Sequence, residues 1–104
     1  MPKGTDSIFP ERRRFRRFSV ALELRYKTDS GIAGSGVSVN ISSGGLLFRC
    51  GATLKVGGLI EVELEWPLLL DKQRPLLLKV YGIIVRSDAD GTAMAISKHE
   101  FRPR

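Results

Sequence analysis

The chain has 104 residues, 42% of them hydrophobic, and a formal charge of +6, which suits one core and one small domain. Residues 1–20 hold six basic and two acidic side chains and so carry +4 of that charge; such a basic arm calls for an anionic partner, whether nucleotide, nucleic acid or lipid head group. The single cysteine, Cys50, excludes an intramolecular disulfide and a thiolate metal cluster, and no stretch reaches the roughly 18 apolar residues of a membrane helix, so a soluble, cytoplasmic protein is expected.

Residues 1–11, with Pro2, Gly4 and Pro10, read as a flexible lead-in. Arg12, Arg13, Arg14, Arg16 and Arg17 follow, five arginines within six positions. From Phe18 the chain alternates: Phe18, Val20, Leu22, Leu24 and Tyr26 face one way and Ser19, Ala21, Glu23, Arg25 and Lys27 the other, as in a half-buried strand. Thr28 to Ser35 is expected to be a turn region. Val37, Val39 and Ile41 are then expected inward, with Ser38, Asn40 and Ser42 on the outer face of a second strand.

Gly44 and Gly45 bend the chain into a third strand, Leu46 to Cys50. Gly57-Gly58 marks a turn before Ile60, Val62, Leu64 and Trp66, which face inward, while Glu61, Glu63 and Glu65 form a wet face. Prolines bracket Pro67 to Pro75, which is expected to be a loop or a short helical turn. Leu76 to Val85 is a long strand with a bend or bulge at Gly82. A hairpin turn at Asp88-Ala89-Asp90-Gly91 leads to Thr92 to Ser97, with Met94 and Ile96 inward. Six short strands without a long helix predict an all-β fold, a small antiparallel barrel.

An RRxxxR formed by Arg12, Arg13 and Arg17, followed by an NxSxxG formed by Asn40, Ser42 and Gly45, resembles the paired signature motifs of the PilZ domain family. The spacing of Arg12 and Arg16 also satisfies RxxxR; Arg13 with Arg17 is preferred because Arg17 then directly precedes the strand. The resemblance implies a six-stranded PilZ-type β-barrel over 12–104 that binds cyclic di-GMP. It implies Arg12, Arg13 and Arg17 on guanine and phosphate, Asn40 and Ser42 on the facing strand, and Gly45 in the turn. Family members commonly close the barrel with a C-terminal helix. Here Pro103 leaves that helix short or absent, which admits a homodimer as the cover.

The residue types suit this chemistry. Guanidinium forks pair bidentately with phosphate oxygens or guanine O6 and N7, and their flat faces stack on purines. A carboxamide offers a donor and an acceptor, a hydroxyl can donate, and a glycine can take positive φ and let turn N–H groups approach an anion. No nucleophile elbow, phosphate-binding loop or metal-ligand set is present, so no enzyme, cofactor or metal is expected. A lone domain of this kind would signal to a partner protein. The rival readings are a basic-arm nucleic-acid binder and a PilZ-like adaptor without ligand. His99 is expected at the surface after the last strand, and Trp66 and Tyr81 in the barrel wall.

Overall fold

The structure, a computed structural model, describes residues 21–70 and 74–103, with side chains described for 21–66 and 76–103. The predicted lead-in, the arginine arm and the first strand's opening residues lie outside the described residues.

Six strands form in chain order: β1 (Glu23–Thr28), β2 (Ala33–Ile41), β3 (Gly45–Cys50), β4 (Leu59–Leu70), β5 (Arg74–Asp88) and β6 (Gly91–Pro103). They close into an antiparallel barrel in the order β1-β2-β3-β6-β5-β4. Closure removes the sheet edges that a flat arrangement would expose. The period-2 segments behave as their sequence dictates: Leu22, Leu24 and Tyr26 on one side of the barrel and Ile60, Val62, Leu64 and Trp66 on another all point into the core. Phe48, packed 5.9 Å from the Tyr26 ring, and Met94, Ile41 and Leu46 fill the centre.

β3 and β4 sit opposite each other in the six-strand ring, so the connection 51–58 must cross the barrel mouth. Leu54 fills that mouth, only 3% exposed, and its N–H donates to Ser87 Oγ at 2.8 Å. One end of the barrel is thus closed by a loop residue.

Four expectations need correction. Pro67 to Pro75 is mostly strand: β4 continues to Leu70 and pairs through Leu70↔Arg74 with β5. Pro67 is tolerated because the β4–β5 register shifts between Trp66 and Leu69, where no regular ladder N–H is required. Pro75 precedes the first β5–β6 pair, Leu76↔Pro103, so no ladder N–H is required of it on that side. β6 likewise runs past Ser97 to Pro103, and His99 lies within it, half-buried opposite Val80.

β2 starts at Ala33, earlier than its glycines suggested. A Cβ on Gly34 would stand 2.6 Å from Tyr26 Oη, and one on Gly36 would strike the Arg49 carbonyl oxygen. These glycines permit close approach inside a strand. The inside-out pattern of β2 also changes. Its pairing with β3 shifts between Ser38 and Asn40, and this bulge reverses the phase. Ser38 is buried at 3% exposure, Val37 is 45% exposed, and Ile41 returns to the interior. The predicted bulge at Gly82 is present, between Tyr81 and Gly82, with a second between Ile84 and Arg86.

Candidate functional site

Asn40, Ser42 and Gly45 meet on the hairpin joining β2 to β3. The bulge that turns Ser38 inward leaves Asn40 paired with Leu47 across the strands, half-buried. Its carboxamide has no hydrogen-bond partner among the described residues. A partly buried amide left uncommitted is costly unless something else satisfies it. Ser42 does more structural work than the outward reading gave it. It is only 7% exposed, its Oγ accepts the Gly44 N–H at 3.2 Å, and its N–H donates to the Gly45 carbonyl at 2.8 Å. The hydroxyl keeps its own proton for an acceptor.

Gly45 also acts differently from the expectation. The described glycines with positive φ are Gly31, Gly57 and Gly91, so Gly45 does not supply a left-handed turn. It pairs with Ala95, and a Cβ there would stand 3.2 Å from the Met94 carbonyl oxygen. Its small size therefore serves the β3–β6 seam. The turn N–H groups of Ser42 and Gly44 are already engaged within the hairpin.

Two residues that the sequence reading passed over belong beside this set. Ser38 anchors the incoming chain: its Oγ accepts the Leu22 N–H at 2.8 Å and its N–H donates to the Leu22 carbonyl at 2.9 Å. Leu22, five residues after Arg17 in the sequence, is thereby fixed to β2 two positions from Asn40. Arg49 is exposed on β3 opposite Val37. Its signal was an arginine at an outward position of an otherwise apolar strand.

The electrostatic setting is distinctive. From Gly31 to Ile60 the chain contains no acidic residue, and its charged side chains there are Arg49 and Lys55. Two wider depressions, of about 490 and 520 Å³, carry more carboxylates than cations in their linings, and the second reaches Val37 from the β1 side. Those linings disfavour an anion. No group of three or more His, Cys, Asp or Glu suited to a metal occurs among the described residues, and no described helix is long and apolar enough to cross a membrane.

Six antiparallel strands closed into a small barrel define the class of fold. The chain belongs to the PilZ domain family, whose match spans residues 11–102, and PilZ domains are in general cyclic di-GMP receptors that act as binding and adaptor domains. Among solved structures it is similar to the PilZ domain of CeSA from a cellulose-synthesizing bacterium, at TM-score 0.61 and 17% identity, covering 80% of this chain and 81% of that one. It is also similar to the Bacillus subtilis inhibitor of motility MotI/DgrA, at TM-score 0.63 and 17% identity; 86% of this chain is covered but only 44% of that longer one. At these identities the likeness establishes the fold. No curated protein matches at the sequence level.

Proposed function

We propose that this PilZ domain is a cyclic di-GMP receptor whose arginine arm orders over the Asn40 face on binding and so signals to a partner protein. The observation that carries the reading is the pairing of an uncommitted Asn40 carboxamide with a chain entry pinned at Ser38. Arg17 precedes Ala21 by four residues, and an extended chain covers at most about 14 Å over that span. That reach supports an arm able to contact the hairpin that holds the second motif. Like charges among Arg12, Arg13 and Arg17 repel before binding, and phosphates neutralise them afterwards. The domain proper is taken as 12–104, with 1–11 as lead-in, in a reducing cytoplasmic setting that suits the lone thiol of Cys50.

Calorimetry with cyclic di-GMP, GTP and single-stranded oligonucleotides tests the assignment. Binding of cyclic di-GMP alone is expected. Tighter binding of oligonucleotides would favour a nucleic-acid arm, and no binding to any of the three would favour an adaptor without ligand. Arg12 adds a guanidinium that can hold a second, stacked molecule, so two ligands per protomer are expected. Arg12→Ala should reduce this to one, and Arg17→Ala should abolish binding. A charge-assisted hydrogen bond contributes ~1.5–3 kcal/mol, or roughly ten- to 150-fold in affinity. Increased hydrogen-exchange protection of residues 8–18 on saturation is the expected sign of arm ordering.

A further inference from the structure

We propose that Arg49 reads the Hoogsteen edge of one guanine of the bound nucleotide, in a seat formed between β2, β3 and the incoming chain. The inference rests on the cyclic di-GMP reading and names a base-recognising residue outside both sequence motifs. Cross-strand partners in a sheet share a face, so Val37 with Arg49 and Asn40 with Leu47 place all four on the outer surface of the hairpin. Arg49 thus lies diagonally across from Asn40. A depression of about 280 Å³ opens there, lined by Ala21, Val37, Ser38, Val39 and Arg49.

The commitments of Arg49 are few. Its Nε donates to the Asp90 carbonyl at a long 3.4 Å, beyond the usual range for N–H···O bonds. Among the described residues no carboxylate forms an ion pair with it. Both terminal nitrogens therefore remain available as a planar fork. The lining decides which part of a nucleotide belongs in the seat. Ala21, Val37 and Val39 offer aliphatic surface, on which a phosphate would lose hydration without hydrogen bonds in return. A flat base buries its face there at little cost and presents O6 and N7 to the guanidinium. The bulge creates this surface, because it turns Val37 outward.

The test is a cycle between side chain and ligand atom. Calorimetry measures the parent, Arg49→Ala and Arg49→Lys against cyclic di-GMP and its 7-deazaguanine analogue, which lacks the N7 acceptor. The parent is expected to lose about tenfold on the analogue, and Arg49→Ala about tenfold on cyclic di-GMP, with little further loss on the analogue. Arg49→Lys should not restore affinity, since it keeps the charge without the fork. Full restoration by lysine, an undiminished analogue penalty in Arg49→Ala, or parental affinity of Arg49→Ala for cyclic di-GMP would each overturn the assignment. Failure of the parent to bind cyclic di-GMP would instead remove the receptor reading, and this inference with it. Matching thermal melts of the three proteins confirm that the exposed substitution leaves the fold intact.

Discussion

The two flanks of the barrel treat their outward polar groups in opposite ways. On the β1–β4–β5 flank, charges alternate in sign from strand to strand: Arg25 faces Glu63, which faces Lys79, and Lys27 faces Glu61. Lys27 Nζ lies 3.9 Å from Glu61 Oε2, and Lys79 Nζ lies 3.7 Å from Glu63 Oε2. Each such pair contributes little on its own, about 0–1 kcal/mol. They commit these charges to one another. On the β2–β3 flank the outward residues include Val37, Asn40, Leu47 and Arg49, with no acid on either strand, and Glu23 of β1 pairs beside Val37. The first flank pairs its charges, and the second leaves Arg49 without a carboxylate partner among the described residues.

The largest effect comes from breaking the charge-paired flank at its backbone. Gly82 sits at the β5–β6 bulge, and a Cβ there would fall on the Ala95 carbonyl oxygen. Neither strand can retreat, because both belong to a closed ring. Gly82→Ala is expected to cost about 3 kcal/mol, the upper end for overpacking, which lowers the melting temperature by roughly 12–24 °C in a domain of this size. A thermal melt within a few degrees of the parent would show that the bulge can relax.

A smaller effect sharpens the comparison on the β2–β3 flank. Ser38→Ala removes the acceptor of the buried Leu22 N–H, and an orphaned buried donor costs about 1–3 kcal/mol. Unlike Gly82→Ala, this change should also loosen the arm's anchor. Faster amide exchange at Leu22 and weaker cyclic di-GMP binding are expected together. Faster exchange with unchanged affinity would separate the anchor from the ligand site.

The same division explains what could be read from the chain. Strands with one dry and one wet face, such as Leu22–Tyr26 and Ile60–Trp66, announce themselves through strict alternation. β2 did not, since a single extra residue at its bulge inverts the phase, and Val37 and Ser38 then exchange the faces that alternation assigns. The Pro67–Pro75 segment misled for another reason: the β4–β5 ribbon runs beyond the stretch where all six strands close on a common core, and prolines are tolerated at its irregular pairs. The hairpin of Asn40, Ser42 and Gly45 was legible as a motif. The packing duties of Ser42 and Gly45 were not, because they depend on Gly44 and Met94 in folded positions. Arg49 carried only the faint signal of an outward arginine on an otherwise apolar strand, which nothing local distinguishes from a solvated arginine.

The smallest expected effect probes how the first flank's network extends onto β6. Tyr81 Oη donates to Glu100 Oε2 at 3.1 Å, and the Tyr81 ring lies beneath the Lys98 ammonium, 5.0 Å from its centroid. This hydrogen bond is the main reason the Glu100 carboxyl titrates below its ordinary value, with Arg102 adding to the effect. A depressed folded-state pKa means that the contribution to stability is present above the unfolded value and disappears as pH falls through the folded one. Tyr81→Phe should therefore raise the Glu100 pKa towards the ordinary range while leaving it somewhat depressed by Arg102. Stability should then depend less on pH across the acid limb, with no change near neutrality beyond the loss of one part-buried hydrogen bond. Carboxyl NMR titration of Glu100 in the two proteins measures this directly. An unmoved titration would assign the depression to Arg102, and the flank's network would then rest on its ion pairs without help from the aromatic hydroxyl.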